Sequence, residues 1–247
     1  MDAYTRESLL QPALDAIIRL RRHGALVHCL TNTVAQNFTA NVLLACGATP
    51  SMTTSPREVT DFTARADVVL VNLGTLDEER MKAILASLEV CNGSDKPFVL
   101  DPVMCHVSPL RLRLAEQILK SGPAIMRANK NELAALDGAS EHFEGCIALT
   151  GQTDRLVIKG QELQVHNGDL MMAKVTAIGC AQGALMAALL ATGADGLTAA
   201  LAALIWFGVA GESAATRSSG PGSFSPAFID ALYGLSIDHI SKRAKLS

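Results

Sequence analysis

Five short apolar runs, Ala25–Leu30, Val68–Leu73, Phe98–Leu100, Ala124–Met126 and Ile147–Leu149, recur along the chain, each following a turn or a stretch of helical periodicity. None of them alternates apolar with polar residues. Strands of that kind bury both faces, and a mostly parallel sheet between two layers of helices is the arrangement that allows it. The fold class expected is therefore α/β. Helices are predicted over Arg6–Arg22, Val34–Cys46, Arg57–Ala66, Glu78–Val90, Arg111–Lys120, Gly179–Ala191, Leu197–Ala215 and Pro226–Ile240. Leu156–Ile158 and Leu163–His166 flank Lys159-Gly160-Gln161, which reads as a hairpin on the sheet edge and the one antiparallel departure. No repeat or linker interrupts the 247 residues, so a single domain spanning 1–247 is expected, with a solvated, frayed tail over Ser241–Ser247.

Val175–Ala194 and Gly196–Gly211 carry no charge and approach the length of a membrane span. The first opens on Thr-Ala-Ile-Gly, contains Gln182, Gly183 and Gly193, and is rich in Ala; no Lys/Arg cluster flanks either one. Both read as buried core helices, and no membrane association is expected. The charge balance of 21 Lys+Arg against 24 Asp+Glu, without a run of either sign, gives no footprint for nucleic acid, which leaves small molecules as partners. Six cysteines without a C-x-x-C pair argue against a zinc knuckle or redox dithiol and for a reducing compartment. The opening sequence has no apolar segment ending in a cleavage site, so the expected location is the cytoplasm.

In a parallel sheet, ligands bind at the carboxyl ends of the strands. Polar residues follow the apolar runs there: Thr31 and Asn32, Asn72 and Gly74, Asp101-Pro102, Arg127 to Glu132, and Thr150-Gly151. Singly, each is explained as a helix cap; together they describe a polar rim. Asp101 and Glu132 near Arg127 suit a magnesium–nucleotide site, or else Asp101 caps the next segment and Glu132 sits in a first helical turn. Lys174 to Gly183 forms a loop of small residues entering a long apolar helix, whose free N–H groups suit a phosphoryl group. Cys180 at that entrance is either a thiol of lowered pKa or a small buried hydrophobe. His28 and His166 are expected as hydrogen-bonded core residues. The chain has no G-x-x-x-x-G-K-[ST] loop, no G-x-G-x-x-G turn into a helix, no G-x-S-x-G elbow and no H-E-x-x-H pair.

Longer matches sharpen this reading: His28-Cys-Leu-Thr-Asn32, Asn41-Val-Leu-Leu-Ala45, Gly47-Ala-Thr-Pro-Ser-Met52, Val71-Asn-Leu-Gly-Thr-Leu76, Leu100-Asp-Pro-Val103, Arg127-Ala-Asn129 with Asn131-Glu132, His166-Asn-Gly168, Lys174-Val-Thr176, Gly179-Cys180 and Gly220-Pro-Gly-Ser-Phe224. From His28 to Leu235 the chain resembles the hydroxyethylthiazole kinases, thiamine-salvage enzymes of the ribokinase-like superfamily. The resemblance implies a three-layer α/β/α fold. It also implies ATP-dependent phosphorylation of the alcohol of 4-methyl-5-(2-hydroxyethyl)thiazole, in a homotrimer with active sites at subunit interfaces. By the same resemblance Met52 and Asn32, with Ala177 and Gly179, contact the thiazole; Arg127 and Thr150 bind ATP; Asp101 and Glu132 lie by Mg2+ and the triphosphate. Cys180 takes the catalytic position where related kinases place an Asp base.

Three departures from the family pattern fall around this site. Ala177-Ile178-Gly179-Cys180 stands for Gly-Thr-Gly-Cys, Met104-Cys105-His106 replaces a segment that usually contains glycine, and Leu133 to Ile147 is short and is expected to lack a helix. They imply weak ATP binding. They also motivate an alternative, a catalytically weakened member acting as a thiazole-binding or regulatory oligomer; a third reading is a related kinase for hydroxymethylpyrimidine or pyridoxal.

Overall fold

The computed structural model describes residues 6–247. After α1 (Arg6–His23) the chain alternates: β1 (Leu26–Leu30), α2 (Gln36–Ala45), β2 (Thr49–Ser51), α3 (Val59–Arg65), β3 (Val68–Asn72), α4 (Glu78–Gly93), β4 (Phe98–Asp101), α5 (Pro109–Leu119) and β5 (Ile125–Asn129). Two short helices, α6 (Lys130–Ala135) and α7 (Asp137–Ser140), lead to β6 (Cys146–Thr150), β7 (Asp154–Ile158) and β8 (Gln161–Val165). A 3-10 segment (Leu170–Lys174) then enters α8 (Ile178–Leu190), α9 (Gly196–Ala215), α10 (Pro221–Gly234) and α11 (Ile237–Arg243).

The strands form one sheet in the order β2-β1-β3-β4-β5-β6-β7-β8. It is parallel from β2 through β6, and the β7–β8 hairpin closes its edge in antiparallel register, with Leu156 opposite Leu163. Strand periodicity divides the buried side chains between two cores. Val68 and Leu70 face the core made with α1, α2, α8 and α9, whereas Val69 and Val71 face the core made with α4 and α5. This is the three-layer arrangement that unbroken apolar runs demand.

Because β1 connects to β2 on one side and β3 lies on its other side, the winding reverses between β1 and β3. Such a reversal opens a crevice beyond the carboxyl ends of the two strands. Asn32 follows β1 there, and Asn72 ends β3. α8 and α9 pack over the sheet, every α8 residue from Ala181 to Leu190 being buried. α9 is long and apolar enough to cross a membrane, yet 78% of its most apolar window is buried inside the protein.

Several expectations need correction. β2 was not foreseen, since Thr49-Pro50-Ser51 has no apolar run; as an edge strand it tolerates its proline. The predicted helix Pro226–Ile240 is two helices, because Leu235 takes an extended backbone and Ser236 caps α11 by accepting the His239 N–H. The segment expected to lack a helix contains α6 and α7, the former closed by an Asn129–Glu132 capping box. Nor does the tail fray: Gln164 and Ser247 exchange two backbone hydrogen bonds, and Lys245 accepts one from His166. His166 itself is exposed and bonded to Ser247 at 2.7 Å, while His28 is buried as expected, with Nδ1 3.2 Å from the Ser51 hydroxyl.

Candidate active site

At the crevice a chain of buried polar contacts runs across the strand ends. The Asn32 side-chain amide donates to Cys180 Sγ (3.3 Å) and to Asn72 Oδ1 (3.1 Å), and Asn72 donates to Asp101 Oδ2 (2.7 Å). Asp101 Oδ1 lies 3.5 Å from the Arg127 guanidinium. Each amide is fixed in orientation by the backbone, Asn32 Oδ1 accepting from Ala35 N–H and Asn72 Oδ1 from Gly74 N–H, both at 3.0 Å. Gly74 is required for this packing, because a Cβ there would meet the Asn32 side chain at 2.9 Å. Beneath the crevice, buried Arg80 donates to the carbonyls of Leu30, Asn72, Gly74 and Thr75, so one cation holds the exits of β1 and β3 together.

On the far side of Arg127 lies a cavity of about 790 Å³ between the ends of β5 and β6, the 167–175 segment and the entrance of α8. Arg127, Thr150, Gly151, Ala177 and Gly179 all line it. Gly179 allows the approach of Arg127: a Cβ would sit 2.5 Å from its guanidinium nitrogen. The first helical hydrogen bond of α8 is Ala181 N–H to the Ala177 carbonyl at 2.9 Å. The N–H groups of Ile178, Gly179 and Cys180 are therefore left without intrahelical partners, at the positive end of the helix dipole. Ala177 takes a left-handed backbone (φ +75°) that glycine adopts without strain, so the alanine keeps the turn at a steric cost. Met104 pays a similar cost at φ +56°.

The electrostatics follow from burial. Asp101 is pushed up to about 6, mainly by loss of solvent and opposed by Arg127; Glu132 raises it further and the Asn72 bond lowers it. Burial pushes the Cys180 thiol up to about 11, with Asp101 adding to the rise. Of the two readings open for Cys180, the thiol of lowered pKa is therefore excluded, since desolvation of the thiolate outweighs the dipole. Asp154, on the cavity wall, is raised to about 6, chiefly by burial.

The predicted site residues therefore fall into linked groups. Asn32, Asp101, Arg127 and Cys180 share the polar chain; Arg127, Thr150, Ala177 and Gly179 share the cavity. Glu132 adjoins Asp101, but its carboxylate accepts backbone N–H bonds from Met104 (2.8 Å) and Asn129 (2.9 Å). It serves as a helix N3 residue and as part of the electrostatic site at once. Met52 follows β2, one strand over from Asn32, and is half-buried against the first core. Asn72 was visible only as a member of the polar rim, while Arg80 and Asp154 carried no local signal.

A magnesium ion fits this donor set in that Asp101 Oδ1 is buried and, apart from the Arg127 guanidinium at 3.5 Å, has no partner. Among the described residues no group of three or more His, Cys, Asp or Glu side chains could hold a metal. A magnesium that keeps its waters and arrives with phosphate oxygens needs only one or two carboxylates.

A sheet of this order between two helical layers, with an anion-ready helix entrance beside a strand-end Arg and Asp, has the ribokinase-like fold. Pyridoxal kinase from Staphylococcus aureus in complex with ADP shares the fold (TM-score 0.60, 16% identity, covering 77% of this chain and 88% of that one). The chain belongs to the hydroxyethylthiazole kinase family, whose model matches residues 17–148 and 139–238. It is 41% identical to a probable hydroxyethylthiazole kinase of Agrobacterium fabrum, covering 95% of this chain and 94% of the relative. It is also 41% identical to a hydroxyethylthiazole kinase of Klebsiella pneumoniae (strain 342), covering 91% and 97%. The hydroxyethylthiazole kinase structure from Pyrococcus horikoshii superposes with a TM-score of 0.92 at 33% identity, covering 96% of this chain and 98% of that one.

Proposed function

We propose that the chain transfers the γ-phosphoryl group of ATP to the primary alcohol of 4-methyl-5-(2-hydroxyethyl)thiazole, forming the thiazole phosphate and ADP. The observation that carries this reading is the polar chain from Cys180 through Asn32, Asn72 and Asp101 to Arg127, joining the strand crevice to the large cavity. ATP occupies the cavity against Arg127 and Thr150, its triphosphate directed at the N–H groups of Ile178, Gly179 and Cys180. The thiazole lies over Asn32 and against Met52, its hydroxyl beside Cys180 and its ring near the backbone of Ala177 and Gly179.

Cys180 stays protonated at neutral pH, so it orients the hydroxyl as a neutral hydrogen-bonding group, and the hydroxyl proton passes to an oxygen of the transferred phosphoryl group. Phosphoryl transfer depends chiefly on alignment and on neutralising charge, which Arg127 and the helix entrance provide. Asp101 and Glu132 would hold magnesium, which would supply charge neutralisation of the phosphates when bound. Above pH 6 Asp101 is ionised and suited to that task.

The same reading includes a homotrimer with sites shared between subunits, in the cytoplasm. Its support is that Val34 (66% exposed) and Leu44 (58%) leave apolar surface on the segment that follows Asn32. The free cysteines suit reducing conditions, five of the six being buried.

The test is ADP release from magnesium-ATP with the thiazole alcohol, hydroxymethylpyrimidine or pyridoxal offered separately. Release that depends on the thiazole alcohol is expected. Release with another alcohol alone would replace the substrate, and thermal stabilisation by the thiazole without ADP release would overturn the kinase reading.

A further inference from the structure

One wall of the large cavity is formed by Asn167, Gly168 and the 3-10 segment behind them, and this wall rests on α9. The seat is built from Gly208, Gly211 and Glu212, spaced to lie on a single face of the helix. A Cβ at Gly208 would overlap Asn167, and one at Gly211 would overlap the Met172 sulfur. Glycine weakens a helix interior relative to alanine, so these two positions are occupied in favour of close approach.

Glu212 fastens the wall down. Its Oε1 accepts from the Asn167 side chain (3.0 Å), the Gly168 backbone N–H (3.2 Å) and Lys245 Nζ (2.9 Å), and its Oε2 accepts from Arg243 (3.0 Å). Asn167 is held from its other side by the same tail, donating to the Arg243 carbonyl at 2.8 Å and accepting from Lys245 N–H at 2.8 Å. Gly168 sits at φ +140°, a backbone setting that favours glycine, with its N–H directed at the carboxylate. The 243–247 tail, itself bonded to β8, is therefore part of the cavity's support.

We infer that Glu212, with Arg243 and Lys245, positions the Asn167–Gly168 wall for nucleotide binding, so that the tail sets ATP affinity without touching the transferred group. This rests on the cavity being the ATP site. None of the three lines the cavity. They are positioning residues, and their loss should move the ATP term of the kinetics alone.

The experiment compares wild type with Glu212→Gln and with Lys245→Met, measuring kcat, KM for ATP, KM for the thiazole alcohol, and ADP affinity by calorimetry. For Glu212→Gln, KM for ATP and the ADP dissociation constant should each rise about fivefold, with kcat and the thiazole KM within about twofold. Lys245→Met, at a half-exposed side chain that the fold can spare, should show the same pattern more weakly. Unchanged nucleotide affinity in both variants overturns the inference, as does a parallel loss in all constants, which marks a structural role only. If Glu212→Gln does not fold, Lys245→Met decides. A wild type that neither binds ADP nor turns over would instead overturn the functional reading on which this one rests.

Discussion

Asp101 shows how a single buried carboxylate links chemistry to stability. Its pKa in the folded protein is about 6, against 3.8 for the free group. Folding therefore favours the protonated form: the group's contribution to stability is present below about pH 4 and is lost as the pH rises through 6, a swing on the order of 3 kcal/mol. Asp101→Asn cannot ionise. It should melt at a higher temperature than wild type at pH 8, with the gap narrowing toward pH 5, while turnover falls about 100-fold or more. Asp154 titrates over the same range in both proteins and cancels from the comparison. Melting curves across pH are the check, and a gap independent of pH would contradict the burial argument. Ala177→Gly should raise stability by about 0.5–1 kcal/mol in urea denaturation, because it relieves a left-handed alanine at some cost in unfolded-chain entropy. Gly179→Ala has the opposite logic. Alanine suits a helix better, yet its Cβ displaces the Arg127 guanidinium, so KM for ATP should rise about tenfold with little loss of stability.

Between elements, the decisive contact is Arg80, which reaches from α4 to the exits of β1 and β3. Arg80→Met would leave several carbonyls short of a donor and should cost about 2–3 kcal/mol, with a rise in the thiazole KM as Asn32 and Asn72 lose their fixed spacing. Denaturation and steady-state kinetics on the same preparation would test both. This scale also marks where sequence reading succeeds and stops. β1 and β3 to β6 are legible because strands buried on both faces show continuous apolar runs, and the β7–β8 hairpin is legible from its turn. β2, the break at Leu235-Ser236 and the pairing of the tail are not, since each depends on a neighbour distant in sequence. The site divides in the same way. Asn32, Asp101, Arg127 and Thr150 stand at strand ends, where polarity after an apolar run is informative. Arg80 and Glu212 lie within helices, where a charged residue looks like any solvated one until the fold gives it partners. The direction of the Cys180 shift required its degree of burial, which position at a helix entrance does not disclose.

For the whole molecule, the trimer in the proposed function makes a direct prediction. Sedimentation velocity at micromolar concentration should give a trimer, and Leu44→Glu, which places charge on an exposed apolar position, should release monomers with weakened thiazole binding. Within one subunit, α1 packs against α8, α9 and α11. Arg6 donates to the carbonyls of Ser241 and Ala244, and Arg21 donates to those of Leu232 and Leu235 while lying over the Trp206 ring at 4.6 Å. The first helix described is thus clasped by helices that are made long after it. Until α8, α9 and α11 have been made, the apolar stripe of Leu10, Leu14, Ile17 and Leu20 lacks the helices that cover it, and one face of the nascent sheet stays open. Synthesis therefore passes through a long interval in which the strands exist and one of the two cores is unfinished, leaving apolar surface of the growing chain open to aggregation.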